Sequence, residues 1–304
     1  MLLLIKRYID TQSELETWCT HNLNIKLLGI DTEFMRTRTY FPKLCLIQLS
    51  TTTEILIIDP IKIKDLSALV GLFKNPNILK IIHSASQDIE TLFTTLKVIP
   101  TPLFDTQIAA SLLGFAKEGL LISYQEIVHL VFNIILEKDQ TRTDWSKRPL
   151  TEAQLDYAFD DARFLIALHD AFQAKLSSNN HQASFNAQIN ALIDPNKYTP
   201  QLDSVWRKVK HKNKLKGRRL SLLKLLAYER ELLAMHKNLP KRWVISDEIL
   251  IDLAKDYGSS LTILDTLPVL ENPLLNQINL DIKTMLSKWI LKFYQSDKSQ
   301  ESVL

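Results

Sequence analysis

Leu27-Leu28-Gly29-Ile30-Asp31-Thr32-Glu33-Phe34 is the stretch on which the fold turns. It reads as a strand whose apolar run ends in two acids. Residues i and i+2 of a strand point to the same face. Asp31 and Glu33 therefore arrive side by side at a strand end, where they repel each other, and a divalent cation relieves that repulsion. Asp-x-Glu alone is common as a solvated face. Two further acidic segments downstream give it weight.

Working outward, Leu2–Tyr8 reads as a strand and Thr11-Gln-Ser-Glu14 as a capping box that opens a helix to about His21. Lys26–Phe34, Leu44–Ser50 and Glu54–Asp59 follow as strands, joined closely enough for antiparallel hairpins. Asp65–Phe73 is expected as a helix, Ile78–His83 as a buried strand, Ser86–Lys97 as a helix and Pro102–Phe104 as a short strand. From Thr106 the pattern is helical, with capping boxes at Ser123-Tyr-Gln-Glu126 and Thr151-Glu-Ala-Gln154, the second opening one helix to about Lys175. Strands first in a meander, then alternating with helices, predict an α/β domain with a mixed sheet.

The second acidic segment is His83-Ser-Ala-Ser-Gln-Asp88, which puts Asp88 in the first turn of a helix. An acid there is also favoured by the helix dipole alone. The third is Leu155-Asp-Tyr-Ala-Phe-Asp-Asp161-Ala, in which Tyr157 and Asp161 stand four apart on one helical face, bordering a stripe of Leu155, Ala158, Ala162 and Leu165. Asp31, Glu33, Asp88 and Asp161 thus form a set of carboxylates on three elements. Without a Cys or His cluster, they suit hard, oxygen-seeking cations, Mg²⁺ or Mn²⁺. Two such ions about 4 Å apart are the usual arrangement for phosphodiester hydrolysis. A phenol beside the attacking water, Tyr157, can orient it or help remove its proton.

Asp31-Thr-Glu33-Phe, His83…Gln87-Asp88 and Tyr157-x-x-x-Asp161 resemble the three exonuclease motifs of the DEDD superfamily, tyrosine subtype. The flanks Phe34-Met-Arg-Thr-Arg-Thr-Tyr-Phe-Pro-Lys-Leu-Cys-Leu-Ile-Gln48, Asp105-Thr-Gln-Ile-Ala-Ala110 and Asp144-Trp-Ser-Lys-Arg-Pro-Leu-Thr151 look like bacterial ribonuclease D. The resemblance covers residues 1–175. It implies a ribonuclease H-like fold with 3′→5′ exonuclease activity. It further implies that Asp31, Glu33, Asp88 and Asp161 hold two metals and that Tyr157 positions the nucleophilic water. Gln87 stands where the family often has Glu, at a position that holds no metal.

Further substrate contacts are read from residue type. Phe34 is a candidate for stacking on terminal bases, with a core role the alternative. Arg36 and Arg38 are candidates for phosphate contacts. His83 is a phosphate candidate or a packed strand-end histidine, and Trp145 and Arg148 either contact RNA or hold their loop. Asp105 reads as a helix N-cap.

Trp206-Arg-Lys-Val-Lys-His-Lys-Asn-Lys-Leu-Lys-Gly-Arg-Arg219 carries eight Lys/Arg and no acid, among them Lys216, Arg218 and Arg219. Beside a candidate nuclease this reads as a tract for nucleic acid. The following Leu220–Leu253, with Tyr228-Glu-Arg-Glu231, Asn238-Leu-Pro240, Trp243-Val244 and Asp247-Glu-x-Leu250, looks like the helical HRDC domain of RecQ-type helicases and ribonuclease D. Leu220–His236, Asp247–Tyr257 capped by Ser246, Leu261–Leu264, Pro273–Gln277 and Leu280–Tyr294 are its expected helices. The domain plan is an exonuclease over 1–177, a linker and basic segment over 178–212 with a short helix at Phe185–Ile193, one HRDC-like unit over 213–295 and a flexible tail over 296–304.

The 304 residues allow two cores, and the net charge of +3 selects no partner. Two cysteines without Cys-x-x-Cys argue against a disulfide framework or a zinc site. The apolar start Met1–Ile5 is too short for a signal peptide, and no stretch approaches bilayer length, so a cytoplasmic location without a membrane partner is expected. The leading reading is an exoribonuclease that trims 3′ ends of structured RNA and releases nucleoside 5′-monophosphates. Precursors of tRNA as substrates come from the resemblance. A 3′→5′ DNA exonuclease, and a non-catalytic RNA-binding protein on a nuclease fold, are the competing readings.

Overall fold

A computed structural model describes residues 4–116, 120–137, 139–141, 143–264 and 281–301, without the side chains of 263 and 296–301. The chain forms two units, Met1–Arg36 with Pro42–Tyr198 and Thr37–Phe41 with Thr199–Leu304. The helix expected at Pro273–Gln277 lies outside the described residues, as do Leu2 and Leu3 of the first expected strand.

The first unit is built on strands β1 (Ile5–Ile9), β2 (Leu27–Met35), β3 (Lys43–Ser50), β4 (Glu54–Ile58), β5 (Leu79–Ile82) and β6 (Leu103–Asp105). Their order is β1-β4-β3-β2-β5-β6. The short links make β2–β3 and β3–β4 antiparallel, while β1–β4, β2–β5 and β5–β6 run parallel. Parallel neighbours need crossovers. Helix α1 (Gln12–His21), α2 (Ser67–Lys74) and α3 (Ser86–Leu96) supply chain for them. The mixed α/β sheet is the one the strand pattern predicts.

Helices α4 (Thr106–Leu112), α5 (Tyr124–Phe132), α6 (Glu152–Arg163), α7 (Leu165–Ser178) and α8 (Gln182–Leu192) complete the unit. Both α6 and α7 pack on β2. A Cβ built on Gly29 would stand 2.1 Å from Ser50 Oγ and 3.1 Å from Leu165 Cβ. Glycine is what lets β3 and α7 close over β2 at that point.

Four local outcomes differ from the sequence reading. The expected single helix from Thr151 to Lys175 is broken at Phe164. There the Tyr124 hydroxyl donates to Asp160 O at 3.1 Å and accepts from Phe164 N at 2.9 Å, replacing one rung of the helical ladder. At Thr11 the hydroxyl donates to Glu14 Oε2 at 2.6 Å instead of accepting a backbone N–H, so that capping box does not form. The short helix expected within the linker forms as α8, but its Phe185, Ile189 and Leu192 are buried in the core of the first unit, so this stretch belongs to that unit. That i, i+4, i+7 spacing is an apolar helical face inside an Asn- and Gln-rich stretch. The last helix runs on to Glu301, past the expected start of the tail.

The second unit is helical: α9 (Gly217–Lys237), α10 (Lys241–Val244), α11 (Asp247–Lys255), α12 (Ser260–Ile263) and α13 (Ile282–Glu301). Its core gathers Leu222, Leu226, Ala234, Leu250, Leu253 and Ile290. Buried Arg230 meets Asp247 at 2.8 Å and Ile245 O at 3.0 Å, so its charge is paired and hydrogen-bonded. Ser246 caps α11 by accepting from Ile249 N, as its position predicts. None of the described helices is long and apolar enough to cross a membrane.

Candidate active site

Strand alternation sorts the first acidic segment. Asp31 and Glu33 project to the face of β2 covered by α6 and α7, and Thr32 projects to the other. Thr32 Oγ1 donates to Asp88 Oδ1 at 2.6 Å, fixing the acid of α3 at the same strand end. The α3 N-terminus is itself held by Asp105, whose carboxylate accepts from Ser84 N (3.2 Å), Ala85 N (2.8 Å), Gln107 N (2.8 Å) and Ile108 N (3.2 Å). Asp105 therefore caps α4 and also ties down the turn that delivers Asp88; Ser84 in that turn has φ 60.

The third segment rides on α6. Thr151 and Gln154 form a complete capping box, so the helix starts at a set residue and Tyr157 and Asp161 fall on the same side. Carboxylate oxygens of Asp31, Glu33 and Asp161 all lie within 4.8 Å of one another. Among the described residues this is the one group of three or more His, Cys, Asp or Glu side chains close enough to share an ion. Asp88 stands outside that trio, near enough for its charge to act on all three.

Burial pushes Asp31 and Glu33 well above the usual carboxylate range. The charges of Asp88, Asp161 and Glu33 add to the shift of Asp31, and those of Asp161 and Asp88 to that of Glu33. Burial also raises Asp88 to about 7 against the hydrogen bond from Thr32. Asp161 rises to about 7 by burial, with relief from the Tyr157 hydroxyl and further pressure from Asp160 and Asp88. The charges that act on Asp31 are all carboxylates, so a divalent cation among them offsets that mutual repulsion. The donor set fits hard cations.

Tyr157 is half-buried. Its hydroxyl lies 3.2 Å from Thr141 Oγ1 and its ring 5.9 Å from that of Trp145. Burial and the charges of Asp161, Glu33 and Asp31 push the phenol up, so it keeps its proton at neutral pH.

Trp145 is 2% exposed. All five N–H groups of Arg148 meet protein oxygens: Asp59 through Nε (2.5 Å) and Nη2 (2.8 Å), and the carbonyls of Cys45, Trp145 and Lys147. His83 donates from Nε2 to Ile122 O at 3.1 Å and has Nδ1 2.9 Å from Thr106 Oγ1, and burial lowers its pKa. Arg36 pairs with Glu90 at 2.6 and 3.2 Å and covers the Phe34 ring at 5.2 Å. Lys216, Arg218 and Arg219 lie exposed at the start of α9 in the second unit. Sequence reasoning missed Thr32 and Asp59. Thr32 was signalled by its place between two acids, whereas Asp59 carries no local signal.

A family model described as 3′-5′ exonuclease matches residues 6–177. The chain is 37% identical to ribonuclease D of Shewanella sp. (strain ANA-3) over 259 residues, 85% of this chain and 66% of that one. It is 40% identical to ribonuclease D of Bartonella henselae over 255 residues, 84% and 61% of the two chains. The chain thus spans about two thirds of the length of these curated relatives. The crystal structure of Escherichia coli RNase D, described as an exoribonuclease involved in structured RNA processing, superposes with a TM-score of 0.81 at 29% identity, covering 92% of this chain and 74% of that one. The sheet, the acids gathered at its strand end and these likenesses agree: the chain belongs to the ribonuclease D family.

Proposed function

We propose that this protein is a metal-dependent 3′→5′ exoribonuclease that trims 3′ ends of structured RNA, precursors of tRNA among them, in the cytoplasm and releases nucleoside 5′-monophosphates. The observation that carries this reading is the convergence of Asp31, Glu33 and Asp161 within 4.8 Å at one strand end, with Tyr157 one helical turn before Asp161. Asp31, Glu33, Asp88 and Asp161 would hold two Mg²⁺ or Mn²⁺ ions. Such ions lower the pKa of a bound water and take up charge gathering on the phosphate. The protonated Tyr157 hydroxyl would orient the attacking water as a hydrogen-bond donor. Phe34 and Arg36 would meet the terminal nucleotide, with Arg36 leaving Glu90 for a phosphate.

We read the second unit as an HRDC-like module for nucleic acid. The first turn of α9 carries Arg218 and Arg219 and no acid, against the preference of the helix dipole, which suits bound phosphate better than folding alone. Sequence-blind, salt-sensitive affinity follows from such contacts.

Digestion of matched RNA and DNA oligonucleotides, with free and with blocked 3′ ends, tests the reading. Mononucleotide release from free-ended RNA, with DNA spared, is expected. Equal degradation of DNA would favour a DNA exonuclease. Tight RNA binding without any product would favour a non-catalytic module.

A further inference from the structure

The register of β2 against β3 sets Gln48 directly across from Asp31 and Ser50 across from Gly29. Opposed residues of an antiparallel pair share a face, so Gln48 projects to the side on which Asp31 and Glu33 carry their carboxylates. The 2.1 Å between Ser50 Oγ and a Gly29 Cβ places Ser50 on that same side. Gln48 is 0% exposed. Neither its Nε2 nor its Oε1 has a protein hydrogen-bond partner among the described residues, and neither does Ser50 Oγ.

A fully buried amide in that condition weakens folding, and an apolar residue of the same shape does not. The rest of β3 makes the choice pointed. Beyond exposed Lys43 at its start, every residue of β3 is buried; Leu44, Cys45, Leu46, Ile47 and Leu49 are apolar, and the two buried polar side chains, Gln48 and Ser50, both lie on the face shared with Asp31.

We propose that Gln48 is a positioning residue for the metal centre: its amide, through one bridging water, hydrogen-bonds the carboxylate of Asp31 and holds it in the orientation that ligates. Cross-strand neighbours have Cβ atoms roughly 5 Å apart, a gap that one water closes when both sides offer polar atoms. The chemistry selects an amide. Nε2 donates toward the carboxylate and favours its charged, ligating form, while Oε1 accepts, so the group adds no negative charge to the four acids nearby. A glutamate at 48 would add repulsion, and an aliphatic side chain would leave the Asp31 carboxylate free to turn. The hydrogen-bonded partners of metal-binding carboxylates commonly set metal affinity in this way. The inference rests on Asp31 being a metal ligand.

The test is calorimetric titration with Mn²⁺, paired with thermal unfolding in EDTA, on the full chain carrying Gln48→Met, with Gln48→Leu as a second apolar variant. Ser50→Ala serves as the control for a partnerless polar atom on the same strand. For the Gln48 variants the Mn²⁺ Kd is expected to rise about tenfold, while the metal-free Tm stays level or rises. For Ser50→Ala the Kd is expected to stay within about twofold. Wild-type Mn²⁺ affinity in Gln48→Met, or a Tm in EDTA several degrees lower in both apolar variants, would overturn the inference and make Gln48 an ordinary structural residue. A wild-type chain that takes up no Mn²⁺ at all would remove the metal reading itself and this inference with it.

Discussion

At the scale of single residues, the site is a problem in electrostatics that the strand geometry creates. Asp31 and Glu33 share a face because they are two apart, and α6 brings Asp161 to them. Folding the metal-free chain therefore brings like charges together. Asp88 and Asp161 titrate near 7 in the folded protein, against about 4 in an unfolded chain. Between those values the folded state holds protons that the unfolded state has released. The contribution to stability is complete below about pH 4 and is lost as the pH rises through 7. In EDTA, Tm is expected to fall between about pH 5.5 and pH 8, and Mn²⁺ to restore more of it at the higher pH. A flat metal-free profile would contradict the electrostatic account. Asp161→Asn is expected to raise the metal-free Tm at about pH 8 while lowering kcat on the order of 10³-fold. Tyr157→Phe keeps the ring against Trp145 and removes only the hydroxyl. It is expected to lower kcat about 100-fold with KM little changed, as steady-state kinetics on a short RNA would measure.

At the scale of elements, the acids are held by contacts made far away in the chain. The Asp144–Pro149 loop is pinned by Arg148 on Asp59, whose carboxylate also accepts from the Tyr8 hydroxyl at 2.5 Å. Asp59 is fully buried. Asp59→Ala leaves the guanidinium without its charge partner and is expected to destabilise the first unit by about 3–5 kcal/mol, measured by urea unfolding. Tyr124→Phe strands Asp160 O and Phe164 N at the α6–α7 break and is expected to cost about 1–3 kcal/mol. These contacts mark the limit of what local sequence could say. The strand ending in Asp31 and Glu33 was legible because alternation is a local rule. The start of α6 was legible because its capping box lies within four residues. The break at Phe164 was not, since its cause is a hydroxyl from Tyr124 on another helix. Nor was the partner through which Arg148 holds its loop, Asp59, which lies 89 residues away. His83 showed the ambiguity of residue type: the sequence allowed a phosphate contact or a packed strand-end histidine, and both ring nitrogens have protein partners, as the packed alternative expects.

At the scale of the whole molecule, burial decides where a unit ends better than composition does. The stretch after Ser177 looks like a linker by its Asn, Ser and Gln content, but Phe185, Ile189, Leu192 and Tyr198 are buried with the first unit. Each such side chain contributes about 1.5–3 kcal/mol. A fragment of residues 1–198 is expected to unfold cooperatively, and a fragment of residues 1–177 to bind a hydrophobic dye and aggregate. Equal behaviour of the two fragments would contradict the packing of α8. The central claim is that the four acids and Tyr157 make one metal-dependent exonuclease site. Its most direct test is gel-resolved digestion of a 5′-labelled RNA with a single-stranded 3′ tail, in Mg²⁺ or Mn²⁺, beside EDTA and Asp161→Ala controls. A ladder shortening from the 3′ end, absent in both controls, is the expected result. Intact RNA in every lane, or a ladder that persists in EDTA or in Asp161→Ala, would contradict the claim.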